Sequence, residues 1–197
     1  MIQIVDAFWT FQGEGFNSGK RALFIRLPFC NLACSWCDTE FDKFTEYSEE
    51  QLNNICNEEK SKFAVITGGE PMMSKNFEPV YKILKQNGFS VAVESNGVFK
   101  PKSGVYYLTI SPKREQKNNL PYYVHPLALE FANEVKFVVD SRFDFMELER
   151  YKHLKKNLYL SPEFNTLKES LDKIFQYIKE NSEWKISLQT HKFMNIK

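Results

Sequence analysis

Short runs of apolar residues alternate along this chain with stretches in which apolar residues recur at every third or fourth position. The runs have the length of buried strands, and the periodic stretches are typical of amphipathic helices packed on a sheet. The pattern therefore predicts seven strands, over residues 22–27, 63–67, 89–94, 105–110, 134–139, 157–160 and 184–188.

Helical stretches fall between the predicted strands. Residues 75–87 carry apolar side chains at helical spacing and end before a glycine, and residues 166–181 begin with a Thr-x-x-Glu capping box. A Ser48-x-x-Gln51 capping box opens a further helical stretch that contains Cys56. We interpret Cys56 as a small buried residue of that helix.

The alternation of strands and helices indicates the fold class. Such βα units form parallel sheets, and the active sites of these folds gather at the C-terminal ends of the strands. The chain has 197 residues, too few for a complete eightfold barrel. We therefore predict an α/β fold of the shortened, open (β/α)6-type partial TIM barrel. No linker or repeat divides the sequence, so one domain is expected over residues 1–197.

Composition and charge narrow the class of ligand. With 26 basic and 25 acidic residues the net charge is +1, which gives little electrostatic attraction for nucleic acid or an anionic membrane. The N-terminal sequence lacks the features of a secretory signal, and no stretch reaches about 18 consecutive apolar residues. We therefore expect a cytoplasmic protein that acts on a small molecule. In a reducing compartment, cysteines favour metal binding or catalysis over disulfides.

Three cysteines, Cys30, Cys34 and Cys37, follow the first predicted strand with CxxxCxxC spacing. Three thiolates hold three irons of a 4Fe-4S cluster and leave the fourth iron open to chelate S-adenosylmethionine. The same spacing also places the cysteines on one face of a helix, so zinc binding and plain structural cysteines are alternatives. Zinc usually requires a fourth strong ligand, and His191 is a candidate that the fold has to bring close.

The cysteine motif, followed by the glycine-rich segment 67–71 after the second predicted strand, resembles the radical S-adenosylmethionine superfamily. The resemblance implies that the cysteines hold a 4Fe-4S cluster and that the glycine-rich segment contacts the cofactor. Taken alone, without the cysteines, the glycine-rich segment is better explained as a turn whose proline begins the next helix.

Three further segments, residues 10–15 (TFQGEG), 37–39 (CDT) and 189–192 (QTHK), resemble the 7-carboxy-7-deazaguanine synthase family. Enzymes of this family convert 6-carboxy-5,6,7,8-tetrahydropterin to 7-carboxy-7-deazaguanine with loss of ammonia, and they use S-adenosylmethionine and Mg²⁺. The resemblance also implies a homodimer and a flavodoxin or ferredoxin-type reductant. It further implies that an N-terminal extension binds the substrate and that the C-terminal tail closes the pocket.

The resemblance also assigns individual residues. Those implied to bind the pterin substrate are Phe11, Gln12, Gly13, Arg26, Thr67 and Lys197. Those implied to bind S-adenosylmethionine are Trp36, Cys37, Asp38, Gly69, Ser111, Pro112, Lys113, Ser161, Pro162, Glu163 and Phe164. Thr39 is implied to bind Mg²⁺, for which a hydroxyl oxygen is a suitable ligand.

Two other classes of protein fit parts of the pattern. A glycyl-radical enzyme activase shares the cysteine spacing and the glycine-rich segment but acts on a protein partner, and a non-catalytic zinc or iron-sulfur protein shares the cysteines alone. No residue of a conventional catalytic pair stands out. Glu14, Glu94 and His191 are candidates for moving protons during loss of ammonia.

Overall fold

The computed structural model describes residues 1–37, 39–102, 104–114 and 121–197, and Asp38, expected at the cofactor, lies outside the described residues. Ten strands occur among them: β1 Ile2–Ile4, β2 Asp6–Phe11, β3 Arg21–Leu27, β4 Thr45–Tyr47, β5 Phe63–Gly68, β6 Ser90–Ser95, β7 Tyr107–Ile110, β8 Glu134–Val139, β9 Asn157–Pro162 and β10 Trp184–Ile186. Eight of them form one sheet in the order β10-β9-β8-β7-β6-β5-β3-β2, while β1 and β4 form a separate antiparallel pair.

The parallel sheet and the mixed α/β class are confirmed. All seven predicted strands are present, and neighbours from β3 through β10 pair in parallel. The sequence pattern missed β1, β2 and β4. Strand β2 pairs antiparallel with β3 at the edge of the sheet, and most of its side chains are only half-buried, so it lacks an apolar run of its own.

Within the described ranges, five helices flank the strands: α1 Glu49–Cys56, α2 Phe77–Gln86, α3 Pro126–Phe131, α4 Leu167–Glu180 and α5 Thr190–Phe193. Short 3-10 helices cover Pro71–Met73 and Phe145–Arg150. In the described part of the chain, no helix combines the length and the apolar character that crossing a membrane requires.

The two predicted capping boxes have different outcomes. The Ser48–Gln51 box is present, with both reciprocal hydrogen bonds formed at the start of α1. The box predicted for α4 is wrong, because Thr166 occupies the N-cap position without a capping hydrogen bond from its side chain. The Thr166 hydroxyl donates instead to the Glu163 carboxylate at 2.9 Å.

The core lies between the sheet and its helices. Helix α2 buries Phe77, Val80 and Leu84 completely, and each contributes roughly 1.5–3 kcal/mol of hydrophobic stabilisation. Cys56 is completely buried at the end of α1, as predicted. This packing holds the parallel strands in register, so the loops after β3, β5, β6 and β7 meet at one edge of the sheet.

The cysteine loop at that edge is not helical. Residues 30–37, all of them described, form turns, with one hydrogen bond of 3.1 Å from the Cys37 amide to the Cys34 carbonyl. The alternative in which the cysteines share a helix face is therefore wrong. The start of the loop is bonded to the segment after β5: the Gly69 amide donates to the Leu27 carbonyl and the Glu70 amide to the Phe29 carbonyl, both at 2.8 Å.

Candidate active site

The cysteine loop is fastened to the ends of two other strands. Glu70, which follows β5, is fully buried, and its carboxylate accepts hydrogen bonds from the amides of Met72 and Asn96 and from the Ser95 hydroxyl. The Asn96 side chain donates in turn to Asn31 inside the loop at 2.8 Å. This anchoring was not predicted, because no role was assigned to Glu70 beyond its place in the glycine-rich segment 67–71.

Within the glycine-rich segment, the structure shows why position 69 is a glycine. A side chain at this position would collide with the main chain of Phe29, so only glycine permits the close approach of the two loops. Burial raises the pKa of Glu70, while its three hydrogen bonds act in the opposite direction. The result is a rigid connection beneath the cysteines.

The three motif cysteines line one open cavity of about 180 Å³ at the C-terminal edge of the sheet. Burial raises the pKa of the Cys30 thiol, so metal binding has to displace its proton. No group of three His, Cys, Asp or Glu side chains in the described ranges is gathered closely enough to hold one metal ion. A four-iron cluster is larger than one ion, so three cysteines around a cavity suit it without meeting at a point.

The same cavity, called the cofactor cavity from here on, is lined by four other residues assigned to S-adenosylmethionine: Trp36, Gly69, Ser111 and Lys113. The Lys113 ammonium donates to the Ser111 hydroxyl at 2.5 Å and lies 5.1 Å from the centre of the Trp36 ring. Burial lowers the pKa of Lys113 to about 8, although nearby Cys34 acts in the opposite direction. Pro112 lines a smaller cavity beside it.

A second cavity of about 160 Å³ adjoins the first. It is lined by every residue assigned to the pterin and by the proposed Mg²⁺ ligand: Phe11, Gln12, Gly13, Arg26, Thr39, Thr67 and Lys197. Glu94 and His191, named as candidates for proton transfer, line it as well. Several residues, among them Glu14, Thr67 and Glu94, line both cavities, so the two spaces are neighbours across a shared wall.

Gln12 is buried in that wall, and its side-chain amide is engaged at both ends. Its nitrogen donates to the Glu94 carboxylate at 2.9 Å, and its oxygen accepts from the Glu14 amide at 3.0 Å. The Thr67 hydroxyl donates to the other Glu94 oxygen at 3.4 Å. Gln12 and Thr67 were predicted to bind the pterin, but part of their hydrogen-bonding capacity is used within the protein.

Arg26 and Thr39 lie together in the lining of this cavity. The Arg26 guanidinium donates to the Thr39 hydroxyl at 3.2 Å and lies 5.7 Å from the centre of the Phe8 ring. The guanidinium offers its other donors to an anionic group in the cavity. This arrangement suits a carboxylate ligand.

The comparisons with known proteins agree with this geometry. Residues 24–102 match the Radical SAM superfamily. A 7-carboxy-7-deazaguanine synthase from Haemophilus influenzae is 36% identical over 99% of this chain and 94% of the relative, and one from Synechocystis is 36% identical over 98% and 93%. The chain belongs to the 7-carboxy-7-deazaguanine synthase family.

A solved structure supports the same family assignment. The crystal structure of QueE from Escherichia coli matches with a TM-score of 0.74 and 27% identity, covering 95% of this chain and 93% of that one. A structure of TYW1 matches with a TM-score of 0.58 and 16% identity over 82% of this chain and 73% of that one, which shows a shared fold alone. Membership in the 7-carboxy-7-deazaguanine synthase family decides against the glycyl-radical activase and the non-catalytic zinc protein. As a Radical SAM protein, the chain uses a 4Fe-4S cluster and S-adenosylmethionine.

Some residues assigned from the 7-carboxy-7-deazaguanine synthase family have other surroundings. Residues 161–164 do not line either of the two cavities in the described part of the chain. The Glu163 carboxylate accepts hydrogen bonds from Asn165 and Thr166 at the start of α4, and the Phe164 ring packs edge-on against Phe193. Their contact with the cofactor stays a prediction.

Lys197 lines the second cavity, called the substrate cavity from here on. The contacts of Lys197 are with other residues of the protein rather than those that a pterin ligand would need. Its main-chain oxygen accepts from the Thr10 hydroxyl at 2.6 Å, and its ammonium pairs with Asp6 and lies 4.6 Å from the centre of the Phe8 ring. The C-terminal tail is thereby attached to β2, at the mouth of the cavity.

Proposed function

We propose that this protein converts 6-carboxy-5,6,7,8-tetrahydropterin to 7-carboxy-7-deazaguanine with loss of ammonia, a step in the synthesis of queuosine and related 7-deazapurines. Relatives named 7-carboxy-7-deazaguanine synthase align along nearly the whole chain, which supports this activity. The observation that carries the proposal is the pair of adjoining cavities at one edge of the sheet, one with the cysteines and one with the residues expected at the pterin.

The cofactor cavity provides the groups for the cluster and for S-adenosylmethionine. Cys30, Cys34 and Cys37 would hold the cluster. Gly69 would meet the methionine end of the cofactor, and Ser111 and Lys113 would contact it from the end of β7. When bound, these cofactors supply the one-electron cleavage that starts the reaction. The protein holds the substrate in a fixed place beside them and limits the access of water.

In the substrate cavity, Arg26 would bind the pterin carboxylate, and the main chain of residues 11–13 would meet the ring. Thr39 would share a Mg²⁺ ion with that carboxylate, since oxygen ligands suit this hard cation. Glu94 and His191 line the same space and would accept or donate the protons that accompany loss of ammonia.

The larger organisation is proposed on the same grounds. The N-terminal segment would act as a substrate-binding extension and the tail around Lys197 as the closure of the pocket, in a single radical domain with an open barrel of about six βα units. A homodimer and a flavodoxin or ferredoxin-type electron donor are also expected. The contact between Thr10 and Lys197 supports the role of the tail.

The decisive experiment is anaerobic reconstitution of the cluster followed by incubation with 6-carboxytetrahydropterin, S-adenosylmethionine, Mg²⁺ and a reductant. We expect mass spectrometry to detect 7-carboxy-7-deazaguanine, and no product when the pterin or the reductant is omitted. A protein that carries about four irons and cleaves S-adenosylmethionine yet forms no deazapurine would refute the proposed substrate.

A further inference from the structure

Strand β8 carries charge inside an otherwise apolar sequence. Its residues Glu134 and Lys136 are both almost completely buried, and they lie two positions apart, on the same face of the strand. Burying an ammonium is costly unless it is paired and hydrogen-bonded. Neither residue belongs to a motif that the sequence displays, and the proposed mechanism uses neither of them.

The Lys136 ammonium is the start of a series of hydrogen bonds. It pairs with one oxygen of the Glu14 carboxylate at 2.5 Å, and the other oxygen accepts from the Gln189 side chain at 2.9 Å. The Glu14 amide donates to the Gln12 side chain at 3.0 Å, and that side chain donates to Glu94 at 2.9 Å. Lys136 is thus linked to Glu94 through two residues of the N-terminal segment.

Glu134 holds the next residues of the same segment. Its carboxylate accepts from the Phe16 amide at 2.9 Å, and the Gly15 amide donates to the Ser187 hydroxyl at 2.8 Å. Gly15 has a φ of +63°, and a side chain there would collide with the Glu134 carboxylate. The glycine is required because the segment lies directly against β8.

The charges around Lys136 keep it ionised. Burial alone would lower the pKa of Lys136, but the carboxylates of Glu14, Glu94 and Glu134 together raise it above its ordinary value. Burial alone would likewise raise the pKa of Glu14, which the ammonium of Lys136 and the Gln189 hydrogen bond lower to about 2. The ion pair is therefore present throughout the neutral pH range.

The position of this ion pair gives it a consequence for the reaction. Lys136 lines the cofactor cavity, whereas Glu14, Glu94 and Gln189 line both cavities. Glu14, Glu94 and Gln189 thus form part of the wall between the two cavities, and Lys136 bonds directly to the Glu14 side chain in that wall. A displacement of about 1 Å at such a wall is enough to change a rate by roughly a hundredfold.

We propose that Lys136 is a positioning residue: its buried ammonium fixes Glu14, and through Glu14 it holds the Gln12–Glu94 hydrogen bond at the wall between the substrate cavity and the cofactor cavity. The inference rests on the proposed function for its effect on turnover. Its structural part, the attachment of residues 12–16 to β8, is independent of the identity of the substrate.

The test compares reconstituted wild-type protein with Lys136→Met, Lys136→Arg and the control Lys156→Met. Lys156 is also a partly buried lysine, but it precedes β9 at the end of the sheet opposite the cavities, and its ammonium bonds the carbonyls of Glu130 and Ala132 at the end of α3. In Lys136→Met we expect hydrogen exchange at the amides of residues 14–16 to be at least tenfold faster and the KM for the pterin to rise at least tenfold.

We also expect Lys136→Met to release more 5'-deoxyadenosine per deazapurine formed, because a displaced substrate radical would less often take back the hydrogen atom that it gave to the 5'-deoxyadenosyl radical. Lys136→Arg keeps the charge and should recover part of the KM and of the exchange protection. Lys156→Met should leave exchange at residues 14–16, the KM and the product ratio at their wild-type values. A purely structural loss of stability would not move the KM and the product ratio in this selective way.

Unchanged exchange and KM in Lys136→Met would overturn the inference. If Lys136→Met fails to take up the cluster, Glu14→Gln removes the same ion pair with little change in shape, and wild-type exchange at residues 14–16 in that variant would overturn it equally. If the wild-type protein forms no deazapurine, the proposed function fails, and the exchange measurement still decides whether Lys136 holds the segment.

Discussion

The side-chain amide of Gln12 donates a hydrogen bond of 2.9 Å to the carboxylate of Glu94, joining two residues that are 82 positions apart. Gln12 follows the antiparallel edge strand β2, and Glu94 lies near the end of β6 in the middle of the sheet. The contact connects the N-terminal segment to the C-terminal end of β6. Gln12 and Glu94 both line the substrate cavity.

Replacing Glu94 tests that contact. Glu94→Gln keeps the shape but removes the negative charge that accepts from Gln12, and a hydrogen bond to a charged group contributes roughly 1.5–3 kcal/mol. We expect the KM for the pterin to rise about tenfold or more in steady-state assays. Glu78→Gln, on the exposed side of α2, is the matched control and should leave the KM unchanged. An unaltered KM in Glu94→Gln would remove Glu94 from the substrate site.

The cluster ligands are tested by comparing two cysteines. Cys34→Ala removes a thiol from the cofactor cavity, so we expect loss of the brown colour and of most of the bound iron after reconstitution. Cys56→Ala changes a cysteine that is completely buried in α1, away from that cavity, and should bind iron like the wild type. Equal iron content in the two variants would contradict the assignment.

The predicted Mg²⁺ site is tested at Thr39. Thr39→Ala removes the hydroxyl that faces the substrate cavity but leaves the cysteines, so the cluster should form normally while the response of the rate to added Mg²⁺ weakens. Thr39→Ser retains an oxygen and should keep the response. A Thr39→Ala variant with the wild-type Mg²⁺ dependence would exclude this residue as a ligand.

Gly15 and Gly19 provide a matched pair for stability. Both have positive φ, but a side chain at Gly15 would meet the Glu134 carboxylate, whereas one at Gly19 would enter open space. Alanine should therefore cost only backbone strain at Gly19, about 1 kcal/mol, and at least about 2 kcal/mol at Gly15, where a collision is added. Urea unfolding measures both, and equal losses would show that the segment does not lie against β8.

The Glu14–Lys136 ion pair predicts an acid dependence of stability. The folded-state pKa of Glu14 is lowered from 4.5 to about 2, so its contribution is complete above pH 4.5 and is lost as the pH falls towards 2. Relative to Glu14→Gln, the cluster-free wild-type protein should lose about 2 kcal/mol more between pH 6 and pH 3 in urea unfolding. Parallel losses in the two proteins would show that the ion pair does not contribute.

Much of the fold was predictable because buried parallel strands have apolar runs that local sequence displays. The edge strand β2 escaped because half-buried residues give no such run. The cysteine spacing was compatible with a helix, but the segment is an irregular loop, and hydrogen bonds from Gly69 and Glu70 to Leu27 and Phe29 fasten its start. Those bonds connect separate parts of the chain, so no local pattern reveals them.

The sequence by itself determined the three thiols at CxxxCxxC spacing and the seven apolar runs, and its resemblance to a known family implied the residues around the pterin. The tertiary structure alone decided that those residues surround two adjoining cavities, and that Lys136 meets Glu14 across 122 positions of sequence. A buried charge must find a partner, but sequence does not say which one. The register of β8 beside its neighbours makes that choice, because it sets which side chains reach the same edge of the sheet.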